Sequence, residues 1–495
     1  MADIVLTTLN AGYAHCAFGL RYLMSNLGEL APRAKLLEFD SGLRTSEIVE
    51  ALLLSEPKIV GIGVYVWNAE ECGRLAAELK RLRPELMVVL GGPEISYETS
   101  EQGIFGAADY VITGEGDLAF ALLCGQLLSG NAPAEKIIAA PAPDLNAVAL
   151  PYELYTDEDL ANRVIYTEAS RGCPFACDFC LSSLGGKVRG FPLDKLLSAW
   201  QKLLDRGARR FKFTDRTFNL NIADASAVLG FFLERLEPGL FLHFEMVPDR
   251  FPEELYALIK RFPPGSLQLE VGVQTFDEAV AARINRSQDN AAVEKNLSRL
   301  RRETSAYIHA DLIAGLPGED LAGFAAGFDR LAALNPHEIQ VGILKRLRGA
   351  PIARHDEEWG MVYSPFPPYE LRQNRSLDFF TMQRLRRFAR YWDLVSNSGV
   401  FGETAKLLCG GPSPFDSFLD FSGWLYGRTG QTHAISRARL RELLKIYLVE
   451  VLKHPGGKVD ALIERDAAAS HRKPKTPALQ RQSLRHPDYR VPNDC

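Results

Sequence analysis

The sequence predicts an α/β protein in three parts. These are an N-terminal doubly wound Rossmann-like domain, a central partial (β/α)6 barrel of the TIM type, and a helical C-terminal domain. Three observations predict it. Five short apolar runs alternate with helical segments through about residue 130; six further strand–helix units begin at about 164; beyond about 360 the pattern is helical and aromatic.

In the first part the apolar runs are DIVLTTL, AKLLEF, KIVGIGVYV, LMVVLGG and ADYVITG, with amphipathic stretches such as AEECGRLAAELKRLRPE between them. Ligands of such sheets sit outside the strand carboxyl ends. LNAGYAH, GIGVYVWN, LGGPEIS and ITGEGD therefore read as ligand loops, with glycines that admit close backbone approach. Residues 131–163, which include NAPAEKIIAAPAPDL, read as a linker.

The barrel strands are expected at VIYTEAS, RRFKFTD, LFLHFEM, SLQLEVGVQ, YIHADLIAGL and EIQVGILK, giving a domain over 164–360. Functional groups of such a barrel belong at the strand carboxyl ends. Residues 361–465 read as the helical domain. There Leu377, Phe380, Phe388 and Tyr391 form an apolar stripe, and Arg384, Arg386, Arg387 and Arg390 a solvated face. Residues 466–495, basic and rich in proline, read as a disordered tail.

A net charge of −5 gives no reason to expect bulk nucleic-acid or anionic-membrane binding. There is no signal-peptide pattern, no apolar run of membrane-spanning length, no Walker A loop and no H-E-x-x-H motif. The expected setting is the cytoplasm, where clustered thiols point to metal or redox chemistry.

Such a cluster occurs in RGCPFACDFC, residues 171–180, directly after the first barrel strand. Structural zinc wants four ligands, and the second cysteine pair is missing; the nearest downstream histidine is His243. Three thiolates on one loop, Cys173, Cys177 and Cys180, suit a 4Fe–4S cubane with one iron left open. This spacing, with Phe179 before the third cysteine, resembles the radical S-adenosylmethionine superfamily. The resemblance implies that S-adenosylmethionine chelates the fourth iron and is cleaved reductively to a 5′-deoxyadenosyl radical.

Other barrel segments extend the resemblance, towards the oxygen-independent coproporphyrinogen oxidase branch. EVGVQTFDEAVAARINR, HADLIAGLPGED and HFEMVPD imply S-adenosylmethionine contacts at Gln274, Arg286, Asp311 and Glu245. After the second strand, FTDRTFN replaces the usual G-G-E-like turn, with Asp215 or Arg216 as its substitute.

A doubly wound domain ahead of such a barrel resembles the cobalamin-binding, or class B, branch. On that resemblance LGGPEIS and DYVITGEGD bring Gly91, Gly92, Gly114 and Gly116 to the corrin or its nucleotide tail. Tyr65 and Trp67 pack beneath the corrin or in the core. A nicotinamide dinucleotide is disfavoured because no G-x-G-x-x-G follows the first strand. His15 stands where some cobalamin domains carry the cobalt ligand of D-x-H-x-x-G. Here the Asp is missing and one extra residue precedes Gly19.

The resemblance, which spans roughly residues 3–460, implies a cobalamin-dependent radical enzyme acting on an unactivated carbon of a small molecule, with methyl transfer as one outcome. Flavodoxin or ferredoxin is the expected electron donor. Cyclisation or oxidation without methyl transfer, and a non-enzymatic cobalamin or redox sensor, are the alternatives. A second cluster, as in methylthiotransferases, would need Cys16, Cys72 and Cys124 to converge from separate segments. Lys345, Arg346 and Arg348 face either an acidic substrate or water.

Overall fold

The computed structural model describes residues 2–472. Strands β1 (Ile4–Asn10), β2 (Ala34–Asp40), β3 (Ile59–Gly63), β4 (Met87–Gly91), β5 (Tyr110–Gly114) and β6 (Ile137–Ala140) form one parallel sheet, ordered β2-β1-β3-β4-β5-β6. β1 is buried along its whole length, as expected of a strand covered on both faces. One apolar cluster gathers around Val5, Val60 and Leu75, and another around Leu6, Leu20 and Phe120. Strand order reverses between β1 and β3, so the ligand loops diverge there.

The stretch expected as a linker does more than connect. It supplies β6 as the sheet's edge strand and then a helix at Asp157–Asn162. A four-residue strand, IIAA, is too short for periodicity to reveal. Thr156 caps the helix, accepting a hydrogen bond from the Asp159 backbone N–H at 3.1 Å.

The second sheet comprises β7 (Ile165–Thr167), β10 (Arg210–Phe213), β11 (Phe241–Met246), β12 (Leu267–Gln274), β13 (Tyr307–Ala314) and β14 (Glu338–Ile343). All pair in parallel in chain order from β7 to β14, leaving the barrel open between those two. A small antiparallel pair, β8 (Ser170–Arg171) with β9 (Arg189–Gly190), brackets the cysteine loop. Alternation is clearest along β12. Leu267, Leu269, Val271 and Val273 of β12 are fully buried in the helix-facing core, while Gln268, Glu270, Gly272 and Gln274 take the other face. Lys212, His243, Glu245, His309 and Asp311 share that inner face, so the barrel is lined with charge where closed barrels carry branched aliphatics.

The C-terminal region packs on the barrel's last helix, Leu321–Ala333. Its helices Phe379–Trp392 and Pro414–Thr429 bring Phe388, Trp392 and Phe415 to within 5.1, 4.8 and 5.7 Å of the Phe328 ring. One apolar cluster runs through barrel and C-terminal region alike. Leu377, Phe388 and Tyr391 join it; Phe380, expected in the same stripe, is 75% exposed, and Met382 and Leu385 fill the buried face instead. Arg386 and Arg390 pair with Glu370 and Asp393. A hairpin of β15 (Val362–Tyr363) and β16 (Leu371–Gln373) docks on the end of β14, where the Leu371 N–H donates to the Leu344 carbonyl at 2.8 Å. The last helix, Gly456–Arg472, carries past the expected domain end at 465; the rest of the expected tail lies outside the described residues. No described helix is long and apolar enough to cross a membrane.

Candidate active site

The cysteine loop is pinned at both ends. Before it, Asp215 accepts from the Ala169 N–H at 2.9 Å and the Ser170 hydroxyl at 2.6 Å. Asp215 is 2% exposed, and burial raises its pKa to about 6. It therefore anchors the loop and lines neither cavity, contrary to its expected cofactor contact. Within the loop, Asp178 stands between Cys177 and Cys180 and is 1% exposed. It takes a hydrogen bond from Asn285 at 3.0 Å, an ion pair with Arg354 at 2.8 Å, and His355 Nε2 at 2.8 Å. Sequence reasoning missed Asp178, because nothing in D-F-C marks a carboxylate as buried.

Cys173, Cys177 and Cys180 line a cavity of about 270 Å³ together with Phe179, Glu245, Gln274, Arg286 and Asp311, so the expected S-adenosylmethionine contacts converge there. All three thiols are free of disulfides. Burial raises the Cys173 and Cys177 thiols, and the Arg286 guanidinium, whose Nη1 lies 3.8 Å from Cys177 Sγ, opposes it at the latter. Arg286 also donates to the Gly272 carbonyl. Gln274 occupies the left-handed region at φ 69°, where β12 shifts register against β13, and this folds its amide back over Gly272. A side chain at Gly272 would collide with that amide.

Glu245 takes both its oxygens to Arg216 Nη1, at 3.1 and 3.2 Å. Burial raises the Glu245 pKa and Arg216 opposes it. Below this layer His243 lies 2.7 Å from Glu270, and His309 lies 3.0 Å from Asp311. Burial disfavours the His309 imidazolium, yet Asp311, Glu338 and Glu270 outweigh it and raise its pKa to about 9.

A second cavity, of about 860 Å³, opens at the carboxyl ends of the first sheet. Gly91, Gly92, Gly114 and Gly116 line it, as expected, and so do Tyr65 and Trp67, whose rings stack at 4.5 Å with 8° between planes. Gly92 has φ 110° and lies so close to the Val64 backbone that no side chain fits. His15 is elsewhere. It bridges to Val164 at the barrel's edge, its Nδ1 lies 2.6 Å from the Tyr166 hydroxyl, and it does not line the cavity. Burial lowers its pKa. The imidazole lies at the edge of the barrel, outside the lining of the second cavity.

Phe179, Cys180 and Arg216 line both cavities, so the two meet over one wall. Arg171, just ahead of the cysteines, reaches across to Asp117 at 2.9 and 3.0 Å and to Glu115 at 3.0 Å, while Arg189 pairs with Glu115 as well. The GEGD loop is thus tied to the cysteine loop. Arg346 and Arg348, expected to face substrate or water, instead meet Glu94, Glu98 and Asp356. Cys16, Cys72 and Cys124 are buried in different parts of the first domain: Cys16 beside Asp159, Cys72 against the Gly63 carbonyl and Cys124 in the core around Phe120.

Comparison with known proteins matches three segments. Residues 4–123 match the B12 binding domain, 167–330 the Radical SAM superfamily, and 357–492 a protein family of unknown function, DUF4080. Among curated relatives, an uncharacterized methyltransferase of Pyrococcus horikoshii is 30% identical over 41% of this chain and 49% of its own. A 2-(S-pantetheinyl)-carbapenam-3-carboxylate methyltransferase of Streptantibioticus cattleyicolor is 24% identical over 60% and 48%. The chain thus spans about half the length of these relatives. In fold it is similar to the radical S-adenosylmethionine methyltransferase TsrM of Kitasatospora setae, with TM-score 0.61 and 17% identity over 77% of this chain and 81% of that one.

The cofactors of these domains are a 4Fe–4S cluster, S-adenosylmethionine and cobalamin. The donor sets fit. Three free thiols share one cavity wall, leaving one iron of a cubane for the ligand. Glu245 and Arg286 offer both charges to a zwitterion. The glycine-rested second cavity presents bare backbone and a flat aromatic pair to a large planar ring.

Proposed function

We propose, for a chain that joins a B12 binding domain to a radical S-adenosylmethionine domain, the activity of a cobalamin-dependent methyltransferase acting on an unactivated carbon of a small molecule. The observation that carries this reading is the shared wall. Phe179, Cys180 and Arg216 line both cavities, so a substrate placed there touches both cofactor sites.

When bound, the cluster supplies the electron that cleaves S-adenosylmethionine, and the corrinoid supplies a methyl carrier. This chain's own residues do the rest. Cys173, Cys177 and Cys180 would hold three of the cluster's irons. Glu245 and Arg286 orient the methionine zwitterion, and Gln274 and Asp311 supply polar contacts deeper in the same cavity. Phe179 separates the two cavities and excludes water from their junction. Arg216, 52% exposed and lining both, keeps donors free for a substrate oxygen. A flavodoxin- or ferredoxin-like protein delivers the electron in a cytoplasmic setting.

The test is anaerobic reconstitution with iron, sulfide and hydroxocobalamin. The expected product holds about four irons and one corrinoid per chain. With dithionite and S-adenosylmethionine it forms 5′-deoxyadenosine, and the Cys173→Ala variant forms none. Four irons with no corrinoid would leave a radical enzyme without methyl transfer. Zinc in place of iron would end the reading.

A further inference from the structure

We propose that the C-terminal region braces the corrinoid site from behind, its Tyr369 acting with Arg348 of the barrel to present the Glu94 carboxylate to the corrin's amide side chains. The inference rests on the corrinoid reading above and gives the region of unknown function a role in it.

Glu94 belongs to the LGGPEIS loop, lines the second cavity and is 3% exposed. Its Oε1 accepts from the Tyr369 hydroxyl at 2.6 Å and from Arg348 Nε at 3.1 Å. Its Oε2 has no hydrogen-bond partner among the described residues. Glu94 lines the cavity, and a carboxylate oxygen open to it can accept a donor from the occupant. The corrin rim carries primary amides, whose N–H groups supply one.

The grip on Glu94 is built from both sides. Arg348 also pairs with Glu98 at 3.0 Å, and Arg346 pairs with Glu98 at 3.4 Å. Tyr369 and Glu98, the outer partners of Arg348, both sit in the left-handed region, at φ 56° and 49°. Such positions persist only where surroundings over-determine them, and they gather at ligand clamps. Gly349, at φ 79°, lets the Tyr97 ring lie against its backbone, where any side chain would collide. Leu347 adds an apolar contact to the same cavity wall. Tyr369 lies in the hairpin loop that docks on β14, so corrinoid binding and hairpin docking share one carboxylate. By linkage, each strengthens the other.

The experiment uses the full chain with its cluster, titrated anaerobically with hydroxocobalamin. Quenching of Trp67, 52% exposed in the cavity, and the visible spectrum report binding. Tyr369→Phe keeps the ring and Glu94→Gln keeps the shape. Each is expected to weaken binding about tenfold, and the double variant by no more than about that, because both remove one contact. Hydroxocobalamin is expected to slow amide exchange over 364–371 in the wild type and not in Glu94→Gln. Iron content stays at the wild-type level in both. Binding within about twofold of wild type in Tyr369→Phe, or equal slowing of exchange in Glu94→Gln, would overturn this inference alone. Wild-type protein that binds no hydroxocobalamin would overturn the corrinoid reading and this inference with it.

Discussion

His355 Nε2 lies 2.8 Å from the Asp178 carboxylate, which fastens the middle of the cysteine loop to the chain leaving the last barrel strand. Both are buried, at 5% and 1% exposure. The cluster loop is therefore braced from a segment some 175 residues downstream, as well as by its own strand.

Replacing Asp178 by Ala leaves Arg354, Asn285 and His355 without their partner. The expected loss is about 3 kcal/mol of stability, with a loop too mobile to keep its metal. Iron per chain after gel filtration should fall to less than about half of wild type. Full iron retention with an unchanged melting temperature would show that the brace is dispensable.

Arg171 is surrounded by Glu115, Asp117 and Glu168, and it stacks over the Tyr22 ring at 4.7 Å. Arg171→Ala strands these carboxylates and costs about 3–5 kcal/mol. Because it ties the GEGD loop to the cysteine loop, corrinoid affinity and iron content should both fall. A fall in one alone would separate the two loops.

Glu245 pairs with a half-exposed arginine, so its removal costs about 1 kcal/mol or less. Glu245→Gln should therefore keep its melting temperature and iron while the KM for S-adenosylmethionine in 5′-deoxyadenosine formation rises about tenfold. An unchanged KM would take Glu245 out of the cofactor site.

His15 is bonded to Tyr166 outside the corrinoid cavity. The electron paramagnetic resonance spectrum of bound cobalt(II) corrinoid should show no nitrogen splitting from a protein imidazole, and His15→Ala should leave it unchanged. A triplet splitting lost in His15→Ala would reverse this placement.

The His309 imidazolium, facing Asp311, Glu338 and Glu270 with His243 and Lys212 beyond, has its pKa raised to about 9. A base raised on folding stabilises fully below its unfolded pKa and loses that contribution as pH climbs through the folded one. The melting temperature should fall between about pH 6.5 and 9, and His309→Gln should flatten that slope. A slope unchanged in the variant would assign the loss to other groups.

Local patterns made much of this legible. The strand alternation, the cysteine spacing and the glycine loops all act over a few residues, and their residues gather accordingly: Cys173, Gln274 and Arg286 line one cavity and Gly92 the other. What escaped depends on distant partners. Asp215 looked like a cofactor contact because its role is set by Ala169 and Ser170, 46 and 45 residues earlier. Glu94 and Tyr369 meet across 275 residues, a pairing no periodicity encodes. The strand IIAA escaped because an edge strand needs little apolar surface to pair.

Phe328 on the barrel's last helix is packed by Phe388, Trp392 and Phe415 from the C-terminal region. Anyone grafting the catalytic portion of this chain onto another scaffold must move helices 321–333, 379–392 and 414–429 as a set. A cut near 360 would strip that phenylalanine bare, and the chimera would be lost to aggregation before its chemistry was ever assayed.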